Sequence, residues 1–125
     1  MSNWQKLNYS GDQFKPFHIR VDYCDEGVDF REMHRFDDGV DEDWINATEK
    51  EIQDGYRYWV TVRAKVYLAG IEVGSHSLAG LLFDDTDQME SMMRSDFEDI
   101  IGEAVSVARY NLKQMADAMQ ERVTA

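Results

Sequence analysis

The sequence predicts an α+β fold: an antiparallel sheet of three to four strands packed against a long C-terminal helix, with a short helix near 41–54. Three observations carry this. Tyr56 to Leu68 alternates apolar and polar residues along its whole length. Ala69-Gly70 then supplies a tight reversal into a second strand-like run, Ile71 to Phe83. From Ser95 onward apolar residues recur every three or four positions. At 125 residues the chain is predicted to be one domain, 1–125, with enough apolar residues for a core of its own.

The first predicted strand is Phe17 to Tyr23, where Phe17, Ile19, Val21 and Tyr23 alternate with His18, Arg20 and Asp22. Cys24 to Gly39 is acidic and glycine-punctuated, with Phe30, Met33 and Phe36 as anchors, and reads as a loop or a short second strand. Asp41 to Asp54 reads as a helix, because acids suit its positive N-terminus and Gly55 suits a left-handed C-terminal cap. Trp44, Ile45, Thr48 and Ile52 give it a modest apolar stripe. In Tyr56 to Leu68, Tyr58, Val60, Val62, Ala64, Val66 and Leu68 share one face. The partner strand returns over Ile71 to Phe83, with Gly74 or Gly80 marking a bulge or bend.

Ser95-Asp96-Phe97-Glu98 fits a capping box, so the last helix is predicted to start there and run to about Arg122. Phe97, Ile101, Ala104, Val105, Ala108, Leu112, Met115 and Met119 fall on its sheet-facing side. Ile100, Val107 and Ala118 widen that arc to about half the circumference, more than one packed face needs.

Charge is distributed unevenly. The net formal charge is −12, of which Asp22–Asp54 carries −10 and Asp84–Glu103 carries −7, the rest summing to +5. Such polarisation costs stability through self-repulsion, so it reflects solubility, halophilic habit or a basic partner. It also opposes general binding to anionic lipid or nucleic acid. Met1 to Phe17 lacks the apolar run of a signal peptide, and a single cysteine, Cys24, suits a reducing compartment; the expected location is cytoplasmic.

With Phe97 at 0° on a helical wheel, Asp96, Asp99, Glu103, Asp117 and Glu121 fall between about −100° and −160°, and Arg109 and Lys113 near +120° and +160°. Acids one turn apart are spaced roughly 5 to 6 Å along the axis, comparable to the charge repeat of a nucleic-acid backbone. A solvated helix face accounts for Asp96 and Asp99, since acids favour a helix N-terminus. It does not account for Asp117 and Glu121, near the end where the macrodipole prefers cations.

Other constellations are weaker. Asp37-Asp38-Gly39-Val40-Asp41-Glu42-Asp43 and Asp84-Asp85-Thr86-Asp87 are clustered oxygen donors, but neither has the spacing of a calcium loop, and no metal or cofactor is expected. His76 lies between Ser75 and Ser77, yet strand alternation turns it away from both, so no nucleophile–base pair forms. No catalytic residue is assigned and the protein is not expected to be an enzyme. Arg57, Trp59, Arg63, Lys65 and Tyr67 mimic a single-strand binding platform, against which stands simple cross-strand pairing with acids such as Glu72 and Asp22.

Tyr67-Leu68-Ala69-Gly70-Ile71-Glu72-Val73-Gly74 through Leu82, followed by an acidic loop and a long Glu/Ala-rich helix, resembles a pattern in small bacteriophage proteins. In size, acidity and lack of motifs the chain is similar in type to anti-CRISPR and anti-restriction proteins, some of which imitate DNA; nuclease immunity proteins share these traits. The resemblance implies a non-catalytic inhibitor that presents carboxylates to a basic nucleic-acid groove of a CRISPR effector, restriction enzyme or other nuclease. The expected surface combines Asp96, Asp99, Glu103, Asp117 and Glu121 with Asp37, Asp38, Asp41, Asp43, Asp84, Asp85 and Asp87. Trp44 and Tyr110 are its expected aromatic anchors. The alternative is a dimeric adaptor or chaperone-like module that uses the apolar helix surface.

Overall fold

The computed structural model describes residues 3–9, 14–34, 39, 41–95 and 98–124, excluding the side chains of 93–95, 98, 99 and 122–124. The fold is α+β, a four-stranded antiparallel sheet in the order β1-β2-β3-β4 with a long C-terminal helix across one face. Its strands are β1 (Gln5–Lys6), β2 (His18–Asp25), β3 (Tyr58–Leu68) and β4 (Ile71–Phe83). Its helices are α1 (Phe30–Met33), α2 (Glu42–Gln53), α3 (Thr86–Ser95) and α4 (Glu98–Thr124).

The β3–β4 hairpin follows from its turn. Ala69 and Gly70 both have positive φ, 51° and 79°, the twist that joins antiparallel strands in two residues. Pairing is interrupted between Val60 and Val62 and again between Val66 and Tyr67, where β4 carries an extra residue. Gly80, at φ 71°, lies in the first of these irregularities. Gly74 has a different role. A Cβ there would lie 2.6 Å from the Ala108 backbone nitrogen and 2.9 Å from the Ala104 carbonyl oxygen, so α4 sits on β4 only because this residue has no side chain.

The main core lies between the sheet and α4. Ile19, Val21, Val60, Val62, Ala64, Val66 and Phe83 meet Ile100, Ile101, Ala104, Val105 and Ala108, all buried. Ile100 is only 2% exposed, which corrects the expectation that it widens a free apolar arc. The opposite face is covered at one end by a smaller cluster in which Phe30 and Ile45 enclose Trp59, whose indole N–H donates to the Val28 carbonyl at 2.7 Å. Phe30 meets Trp59 edge-on, with ring centroids 5.1 Å apart.

Three elements differ from the sequence expectation. Cys24 and Asp25 extend β2, and the stretch expected as a loop or short second strand contains the one-turn helix α1, anchored by buried Phe30. Gln5–Lys6 pairs with Asp22 and Tyr23 to form β1, and Leu7 behind it is buried. The acidic stretch after β4 is the start of α3: Asp85 accepts from the Gln88 amide at 2.7 Å while Gln88 Oε1 accepts from the Asp84 amide at 2.6 Å. That exchange satisfies N-terminal amides much as a capping box does, and buried Met89 then fixes α3 on the core. Ser95 therefore ends α3, and α4 begins at Glu98.

Candidate partner-binding surface

The acids of α4 fall into two groups. Asp96 and the side chain of Asp99 lie outside the described residues. Glu103, Asp117 and Glu121 are exposed, on the side of the helix turned from the sheet, since the opposite positions Ile101, Ala104, Val105 and Ala108 are buried. Tyr110, 64% exposed, shares that edge. From Glu103 to Glu121 the helix rises about 27 Å.

Past Ala108 the helix leaves the sheet. Asn111 makes a last bond, donating to the Val73 carbonyl at 2.9 Å, and Leu112 is half-buried. From Lys113 to Glu121 every residue is exposed, including Met115 at 58% and Met119 at 68%. Asp117 and Glu121 thus stand on a protruding helix, with Arg109 and Lys113 exposed earlier in the same stretch.

Of the remaining predicted acids, Asp41, Asp84 and Asp85 are engaged within the fold. Asp41 caps α2, accepting from the Asp43 amide at 2.9 Å; Asp43 is exposed beside it. Arg57 bonds Asp84 at 3.0 Å and reaches Glu51 at 3.6 Å, tying the end of α2 to the start of α3. Asp85 caps α3, and Asp87 is exposed in its first turn. Asp41 and Asp84 therefore mark opposite ends of α2, separated by about 18 Å of helix. Asp37 and Asp38 lie outside the described residues. Trp44 is 43% exposed, its other side packed on Phe30 at a ring distance of 5.2 Å.

The mock platform on β3 resolves into ion pairs. Asp22, only 1% exposed, takes two hydrogen bonds from Arg63, at 2.9 and 2.7 Å, and the Trp4 ring lies 3.6 Å from that guanidinium. Lys65 pairs with Glu72 at 3.4 Å, while Trp59 is buried. Cross-strand pairing with Glu72 and Asp22 thus accounts for these cations.

A cleft of about 410 Å³ runs between α1, α2 and β3, bordered by Glu26, Asp29, Glu49, Arg57 and Trp59. Its central carboxylate is engaged: Glu26 accepts from Thr61 Oγ1 at 2.8 Å and from the Gly80 amide at 2.7 Å. Burial pushes the Glu26 pKa up, but these bonds and those from the amides of Val28 and Gly27 outweigh it, so the group is held below its ordinary value. Glu49 is bonded to Arg31 at 2.7 Å. Half-buried Cys24 has its thiol pushed up by burial, opposed by Arg63, which makes it a poor nucleophile at neutral pH.

The three histidines occupy three places: His18 at the end of β2, His34 against Phe30 after α1, and His76 opposite Ala64 on β4. Among the described residues no three His, Cys, Asp or Glu side chains converge as a metal site requires, and no helix is long and apolar enough to cross a membrane. No known protein family, curated protein or solved structure matches the chain.

Proposed function

We propose that this protein is a non-catalytic binding protein that offers the acidic outer edge of α4 to the basic nucleic-acid surface of a protein partner, as a mimic of the polynucleotide. The partner class is a nuclease or other DNA- or RNA-handling complex, and the effect is to block its groove. The observation that carries this reading is the protrusion of α4. A helix that leaves its own core can enter a groove, and it carries Asp117 and Glu121 there, with Glu103 and Tyr110 behind them on the same edge. Carboxylates at this end oppose the macrodipole, so helix stability does not select them. Charge complementarity would speed encounter, and Tyr110 would supply close packing.

The test is capture of nucleic-acid-binding proteins from a cell extract by immobilised wild-type protein and by the triple variant Glu103→Lys, Asp117→Lys, Glu121→Lys. The exposed sites leave the fold intact, as circular dichroism will check. The expected partner is released by added duplex DNA or RNA and is not retained by the variant. Retention by the variant in about 0.5 M salt, where charges are screened beyond roughly 4 Å, overturns the proposal.

A second reading is favoured by the apolar side of the same segment. Leu112, Met115 and Met119 continue the line of Ile101, Val105 and Ala108 beyond the sheet, as an adaptor or dimerisation helix would. If light scattering finds a dimer that Met115→Glu with Met119→Glu dissociates, assembly is the primary role of this segment.

A further inference from the structure

On the sheet face turned from α4, two cations, Lys6 and Arg20, lack among the described residues the acidic partners that their neighbours have, and His18 lies beside them. β1 pairs with β2 only at Tyr23 and Asp22, so on the edge away from β3 His18–Arg20 has no strand beside it among the described residues. A cleft of about 440 Å³ opens there, bordered by Lys6, His18, Arg20 and Tyr67, with Ile19 and Val21 of β2 contributing to its wall. His18 is directly opposite Tyr67 in the strand register, and their ring centroids are 6.4 Å apart. Arg20 is directly opposite Lys65. Like charges so placed destabilise a sheet, so strand pairing does not explain Arg20. Lys65 reaches Glu72 on the far side, whereas Lys6 and Arg20 have no ion pair among the described residues.

At this end of the sheet Arg63 and Lys65 have acidic partners, whereas among the described residues Lys6 and Arg20 do not, and both adjoin one cleft beside His18. We propose that this cleft binds a small phosphomonoester bearing a planar ring, of which a nucleoside monophosphate is the type. The Arg20 guanidinium and the Lys6 ammonium take the phosphate, the first as a planar fork and the second as a point charge. Tyr67 and His18 offer the rings against which a base packs. The cleft falls within the usual size range of small-molecule sites. Net charge decides between a compact ligand and a polymer. Repulsion from a −12 protein grows with every phosphate outside the cleft, while one phosphate held at Arg20 feels the local cations within a Debye length of about 8 Å. This site shares no residue with the α4 edge and does not depend on its role.

The test follows backbone amide resonances of the full chain during titration with adenosine 5′-monophosphate, adenosine and inorganic phosphate. The expected result is saturable shifts around Lys6, His18, Arg20 and Tyr67 with a Kd below about 1 mM, and weaker binding of adenosine and of phosphate alone. Arg20→Glu should weaken binding of the monophosphate at least about tenfold. Arg109→Glu makes the same change in net charge on α4 and should alter affinity less than about twofold. The proposal is overturned if the monophosphate gives no saturable shift, if inorganic phosphate binds as tightly, if both variants weaken binding alike, or if a single-stranded oligonucleotide binds the same residues more tightly.

Discussion

The two faces of the sheet are built by different physics. Toward α4 the contacts are apolar side chains packed on a helix that approaches close enough to touch backbone at Gly74. Toward the other side, order comes from polar groups that satisfy one another: Arg63 on Asp22, Glu26 on Thr61 and Gly80, and the Trp59 indole on Val28. The first face is disrupted by inserted bulk, and the second by loss of a polar partner. Function is proposed on the exposed end of α4 and at the edge of β2 that no strand covers among the described residues.

The largest expected effect breaks the apolar face. Gly74→Val places a branched side chain against the Ala104 and Ala108 backbone, which cannot rotate away, so α4 must lift. Destabilisation of more than about 3 kcal/mol is expected, beyond the usual cost of overpacking by side chains alone. Urea denaturation measures it, and a loss under about 1 kcal/mol would show that α4 is not seated as described. Next comes Asp22→Ala on the polar face. Removing one partner of a fully buried pair costs about 3 to 5 kcal/mol, but Arg63 keeps 20% of its side chain in solvent and can swing outward, so about 2 to 3 kcal/mol is expected.

A pH titration separates the faces without changing contacts at pH 7. The Glu26 carboxyl titrates lower in the folded protein than in the unfolded chain. Its contribution is therefore complete above the ordinary carboxylate range and is lost as pH falls through the lower folded value. Urea midpoints taken from neutral pH down into that acid range should fall for the wild type. Glu26→Gln should be less stable at neutral pH, and the gap between the two should narrow in acid. A constant gap would mean that Glu26 acts through shape alone.

How much of this was legible in the sequence divides along the same line. The α4-facing residues of β3 follow from strict alternation, the hairpin from Ala69-Gly70, and α2 from its acidic start and Gly55, which has φ 82°. Period and turn chemistry are local, so the chain displays them. α3 was hidden because Asp84-Asp85-Thr86-Asp87 looks like an acidic loop; the available signal was Asp85 three residues before Gln88. β1 was hidden because two residues make no period. The candidate sites were least legible. The acid edge could be drawn on a wheel, but not the point at which the sheet ends beneath α4. Nor does sequence place Lys6 near Arg20, since they meet through strand pairing and a turn of chain.

The smallest expected effect tests that last point. Ile101 and Met115 belong to the same apolar line of α4, and periodicity treats them alike, yet one is buried and the other is 58% exposed. Ile101→Ala should cost about 2 to 4 kcal/mol through lost transfer energy and a cavity. Met115→Ala should change stability by no more than about 0.5 kcal/mol, because alanine has the better helix propensity and little packing is lost. A cost at Met115 that grows with protein concentration would have another meaning: the exposed stripe would be covered in solution by a second copy, and the protruding acids would lie beside an interface between protomers.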